Sequence, residues 1–163
     1  MHKYTLTSIL IISFLIGSSG VCWSADFQKG VDAANRGDFA TAIKEWTPLA
    51  RQGDVVAQFN LGLTYHEGQA VPQDYKTAMK WYSLAAQQGN ADAYFNMGVM
   101  YYNGQGVSVD DLRAHMWFDL SAAAGNEGAA INRDLIAETM TPSQVAQAKK
   151  LVQECLARNY KGC

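Results

Sequence analysis

The chain has 163 residues, enough for one domain or one short repeat array with a sizeable core. Hydrophobic residues make up 48% and charged residues 17%, which excludes a disordered chain. The net charge of −2 and the lack of a Lys/Arg cluster exclude a general nucleic-acid binder, whose surface must neutralise phosphates.

Residues 1–24 read as a secretory signal peptide. His2 and Lys3 give a basic start, Leu6 to Ile16 is almost wholly apolar, and Gly17, Ser18, Ser19 and Gly20 follow. An apolar core of about 11 residues is too short for the roughly 20 a membrane-spanning helix needs, so an uncleaved anchor is the weaker reading. Cleavage after Ser24 puts Cys22 and Ser24 at the −3 and −1 positions. Lipidation of Cys22 is disfavoured by bulky Val21 just before it. The expected location is therefore periplasmic or secreted, with no stable membrane anchor after cleavage.

Residues 25–53 then read as a first helix pair, Phe27 to Arg36 and Phe39 to Gln52, joined by a tight Gly37-Asp38 turn. Pro48 lies inside the second helix and is expected to kink it.

Residues 54–89 and 90–125 are two copies of one unit, offset by 36 residues. Gln58-Phe59-Asn60-Leu61-Gly62 recurs as Tyr94-Phe95-Asn96-Met97-Gly98, and Tyr65, Gly68, Val71 and Asp74 recur as Tyr101, Gly104, Val107 and Asp110. Ala78, Trp81, Tyr82 and Ala86 recur as Ala114, Trp117, Phe118 and Ala122. A repeat of this length that cannot bury its apolar face alone must stack on its neighbours. Within each copy the spacing predicts two helices. In helix A, Ala57, Leu61 and Tyr65 make one apolar stripe; in helix B, Ala78, Trp81, Tyr82, Ala85 and Ala86 do the same. Asp74 and Asp110 sit where helix B begins and can accept from its unpaired N–H groups. Gly89 and Gly125 suit the left-handed cap that ends it. Gly62 and Gly98 cost helix propensity, which implies close passage of helix B there.

Residues 126–163 form a capping pair. Glu127 to Met140 is a further helix A, and Thr141-Pro142-Ser143-Gln144 is a capping box opening a last helix to about Arg158. In an exported chain Cys155 and Cys163 are an even pair, expected as a disulfide that pins the tail. Two distant thiols and two scattered histidines make a poor metal set, and no cofactor is expected.

The fold class predicted is all-α, a short α-solenoid of stacked antiparallel helix pairs. The motifs Asn-Leu-Gly-x-x-Tyr, Gly-x-Gly-Val-x-x-Asp and Ala-x-x-Trp-Tyr-x-x-Ala-Ala-x-x-Gly, matched nearly throughout in 57–89 and 93–125, resemble the Sel1-like repeat family, relatives of tetratricopeptide repeats. One departure is Ala70, which stands where Gly106 stands in the second copy; if that position needs a positive φ, Ala70 is strained. The resemblance implies a non-enzymatic adaptor of the bacterial cell envelope that binds another protein or peptide on the concave helix A face.

Candidate partner-binding residues follow from the period. Asn60, Asn96 and Asn132 should form a column along the inner wall, and an Asn can both donate to and accept from an extended peptide. The same residues can instead tie neighbouring helices together. Tetratricopeptide domains hold peptide carboxylates with a similarly placed Asn, but the basic residues that complete that clamp are missing: Phe59 and Phe95 precede the asparagines, and Leu63 and Val99 follow. Tyr94 and Tyr102 are expected to be exposed anchors, because their counterparts are Gln58 and His66; Gln58 joins them as a polar contact. His66 is expected to be solvated, and His115 packed.

Two other readings compete. A Tyr-lined face can stack on sugar rings, which fits a structural envelope component bound to peptidoglycan or polysaccharide. Cysteine-rich relatives have been discussed as lactam-hydrolysing enzymes, but that chemistry needs a Ser-x-x-Lys, which the sequence lacks. No catalytic residue is assigned.

Overall fold

A computed structural model describes the backbone of residues 19–163 and the side chains from Asp26 onward. The apolar stretch of the signal reading, with Cys22's side chain, lies outside the described residues. Eight helices run in order through the described residues: α1 (Ser19–Asn35), α2 (Phe39–Arg51), α3 (Val55–Glu67), α4 (Tyr75–Ala86), α5 (Ala91–Asn103), α6 (Asp111–Ala123), α7 (Glu127–Thr139) and α8 (Pro142–Ala157). No strand occurs among them. The chain is all-α, with α1, α3, α5 and α7 as the A helices.

Helices α2 to α8 each start where a short polar side chain can satisfy the open N–H groups of a first turn. Asp54, Asp74, Asn90, Asp110 and Asn126 each accept from the backbone N–H three residues on. Thr141 and Gln144 bond reciprocally at the head of α8. The A helices of both repeats end on a left-handed glycine, Gly68 and Gly104, and each loop closes by one bond from the helix B cap back to helix A: Asp74 N–H to Tyr65 C=O and Asp110 N–H to Tyr101 C=O. Helix α2 continues through Pro48 to Arg51 and buries Leu49 and Ala50 beyond it.

The helix pairs cross at glycine. A Cβ built on Gly62 would lie 2.5 Å from the Tyr82 ring, and one on Gly98 2.8 Å from the Phe118 ring. The first pair uses the same device: a Cβ on Gly30 would sit 2.3 Å from Trp46 Nε1. That third instance is hidden from a 36-residue comparison, because the α1–α2 turn is shorter than the repeat loops.

Stacking merges the pairs into three neighbouring apolar clusters. Trp46, Leu49 and Leu61 anchor the first, Tyr82, Met97 and Trp117 the second, and Phe118, Ala129 and Ile136 the third. The C-terminal helices differ from the expected capping pair. Helix α8 packs chiefly on α6, not on α7, and puts Val152 and Cys155 into the middle cluster. At the fourth crossing position, where the other A helices carry glycine, α7 carries Asp134, whose charged side chain cannot sit beneath a closely packed helix.

Candidate functional site

The A helices position the candidate residues. Helices α5 and α7 face each other across a groove of about 310 Å³, with Phe118 of α6 beneath it. Val99, Leu135 and Ile136 give it apolar walls; Asn103, Asn132 and Thr139 add hydrogen-bonding groups. Tyr102, 52% exposed, and Leu135, 56% exposed, stand at its edge. A few polar groups set in an apolar groove orient a ligand while burial supplies affinity.

Asn60, Asn96 and Asn132 sit at the same place on α3, α5 and α7, each half-buried. Asn132 lines the groove directly. Each carboxamide therefore keeps part of its surface open on the helix A side.

Two other candidates are corrected. Tyr94 is 2% exposed: its ring stacks on Trp117 with centroids 5.8 Å apart and meets Tyr160 at 5.3 Å. Burial pushes its hydroxyl pKa up. It belongs to the core because the tail beyond α8, which no repeat comparison includes, folds over it. Gln58 is also buried; its amide donates to Ala50 C=O at 2.9 Å and its carbonyl accepts from Gln88 at 2.8 Å. It closes the end of α2, with both ends of its carboxamide engaged inside the fold. His66 is likewise not a solvated side chain. It lies half-buried against Tyr75 and Tyr82, 3.3 Å from Gln105 Oε1.

The groove also includes residues the sequence reading did not single out. Asn103, Leu135 and Thr139 fall on the last two turns of α5 and α7, and only the cross-helix geometry brings them together. In periodic terms Leu135 matches Val99 and Leu63, so the sequence carries an aliphatic row beside the asparagines.

Cys155 and Cys163 are joined in the structure, with Cα atoms 5.5 Å apart. His115 is 2% exposed on α6, and burial holds its pKa below the ordinary value. Among the described residues no group of three or more His, Cys, Asp or Glu side chains converges as a metal site would require. None of the described helices is long and apolar enough to cross a membrane.

The Sel1 repeat family model matches residues 55–90 and 91–126. Two solved structures are similar. One is a protective antigen, c5321, of uropathogenic Escherichia coli strains that displays an SLR fold, with a TM-score of 0.77 and 28% identity over 85% of this chain. The chain spans 31% of the length of that protein. The other is a Sel1 repeat protein from Oxalobacter formigenes, with a TM-score of 0.62 and 32% identity over 69% of this chain and 87% of that one. No curated protein matches the chain in sequence.

Proposed function

The chain belongs to the Sel1 repeat family, whose members generally mediate protein–protein interaction on a typically non-catalytic fold, and from that premise we propose that it is an exported scaffold of the bacterial cell envelope that binds a protein partner on its helix A face. The observation that carries this reading is the groove between α5 and α7, where Asn132 and Asn103 stand among Val99, Leu135 and Tyr102. Carboxamides bond a peptide backbone without requiring charge, and the aliphatic row and Tyr102 take side chains. With Leu63 and Val99 where a carboxylate clamp has basic residues, the partner is bound through an internal segment, not a chain end. Export rests on the N-terminal sequence pattern.

The sugar-binding alternative loses support, since of its two tyrosines Tyr94 is buried and Tyr102 alone stands exposed.

Site-specific photo-crosslinking in the native compartment tests the proposal, with the probe at Asn96. One discrete protein adduct, lost when Asn60 and Asn132 are changed to Ala, is the expected result. An adduct from a probe at the exposed helix B position Lys80, with none from Asn96, would place the binding face elsewhere.

A further inference from the structure

Successive units of the array carry equivalent outer clefts, each between one helix B, the next helix A and the helix B beyond. The first is walled by Met79 and Ser83 of α4, Met97 and Tyr101 of α5 and Trp117 of α6, and the chain's own tail closes it with Tyr160 and Cys163. It is small, about 110 Å³. One period on, the cleft between α6, α7 and α8 is about 320 Å³ and lacks the tail. Its walls have changed character together. His115 stands for Met79, Asp119 for Ser83, Arg133 for Met97 and Ala137 for Tyr101, and Asp134 of α7 and Lys149 of α8 complete the ring.

Packing does not require this exchange. Methionine fills the His115 position one repeat earlier, whereas His115 is 2% exposed and its Nδ1 has no hydrogen-bond partner among the described residues. A buried, unsatisfied polar atom costs on the order of 1–3 kcal/mol, so histidine stands here at a cost that methionine would avoid. The charges around it are ordered. Arg133 is held between two carboxylates, Nη1 3.0 Å from Asp119 Oδ1 and Nε 2.8 Å from Asp134 Oδ1. Among the described residues, the second oxygen of each carboxylate, the Lys149 ammonium and the His115 ring remain unengaged. The cleft thus offers acceptors and donors together, and its walls carry no net charge while His115 is neutral.

We propose that this cleft binds a small zwitterion of the amino-acid class. Its ammonium lies against the free oxygens of Asp119 and Asp134; its carboxylate meets Lys149 and the Nε2–H of His115, since Nδ1 is buried away from the cleft. Burial keeps the imidazole neutral, with Asp119 and Asp134 favouring and Arg133 and Lys149 opposing its protonation, so it presents one donor. The volume is at the low end for small-molecule sites and suits one amino acid better than a peptide. The site is separate from the proposed partner groove: it uses Arg133, Asp134 and Ala137 of α7, whereas the groove uses Asn132, Leu135 and Thr139.

Nuclear magnetic resonance of the His115 ring in the full chain tests this, by titration with L-alanine and L-serine and with acetate and methylamine as singly charged controls. Saturable shifts with the amino acids, at least about tenfold weaker with either control, are expected. Lys149→Gln and Asp134→Asn, both at exposed positions, should each weaken binding by about tenfold without changing the melting temperature. No saturable shift up to about 50 mM amino acid, or acetate binding as tightly as alanine, overturns the proposal.

Discussion

At the scale of single residues, the clearest conflict between sequence and backbone is at Ala70. Its φ is +59°, in the left-handed region, and its counterpart Gly106 has φ +74°. An L side chain there costs roughly 1–2 kcal/mol, partly offset because alanine loses less unfolded-chain freedom than glycine. Ala70→Gly should therefore raise stability by up to about 1 kcal/mol. Gly106→Ala should lower it by more, because a Cβ there would also lie 2.8 Å from Tyr75 Cβ. The urea midpoints of the two variants check both signs. His115 gives a pH prediction. Burial holds its folded pKa below the ordinary 6.5, so the fold retains the neutral ring. The groups that face it are Asp119 on its own helix, Arg133 and Asp134 on α7 and Lys149 on α8. Its contribution to stability is complete above pH 6.5 and is lost as the pH falls through that value toward the lower folded pKa. Unfolding free energy should decline as the pH falls below about 6.5, starting before most carboxylates titrate, and His115→Met should flatten that slope. An unchanged slope in the variant would place the acid sensitivity elsewhere.

At the scale of helices, the crossings decide stability. Gly62 and Gly98 let Tyr82 and Phe118 press against the helix A backbone, so Gly98→Ala drives a methyl group into a ring that is itself buried. Overpacking of this kind costs about 1–3 kcal/mol, against the gain alanine normally brings to a helix. Loss of stability in Gly98→Ala, with partial recovery in a Gly98→Ala, Phe118→Leu double variant, would identify the ring contact as the cause. The crossings were legible in the sequence because two helix-breaking glycines recurred at the period of the fold. The A and B helices, their caps and the strained Ala70 were legible for the same reason: a repeat displays its constraints twice. The burial of Tyr94 was not. A difference from the repeat partner, tyrosine against glutamine, suggested freedom from packing, yet both side chains are buried by contacts outside the period. Gln58 bonds the preceding helix and Tyr94 lies under the tail. Docking of α8 on α6 was invisible too, since Thr141-Pro142 fixes where that helix starts but not which neighbour it covers.

At the scale of the molecule, the array depends on how well neighbouring units are coupled. The seam of α4 on α5 is thinner than that of α2 on α3 or α6 on α7. The tail bridges this weaker seam: Tyr160 and Cys163 share one cleft with Met79 and Ser83 of α4, with Gln87 just after it, and with Met97 and Tyr101 of α5. Holding the tail there is costly, because Asn159 and Tyr160 both adopt left-handed backbone at φ +49° and +61°. The Cys155–Cys163 bridge closes an eight-residue separation, and loop closure of that size contributes about 2.5 kcal/mol in the chain-entropy model. The disulfide is therefore expected to couple α1–α4 to the rest, an effect beyond the ordering of the last residues. In Cys163→Ser, amides of α1–α4 should exchange with solvent through an opening that leaves α5 and α6 protected, while the parent chain opens as one unit. Reduction of the parent with a dithiol should reproduce the pattern. Equal loss of protection in all helices would mean that the tail adds stability without coupling the halves. Faster exchange confined to residues after Ala157 would mean that the α4–α5 seam holds without it.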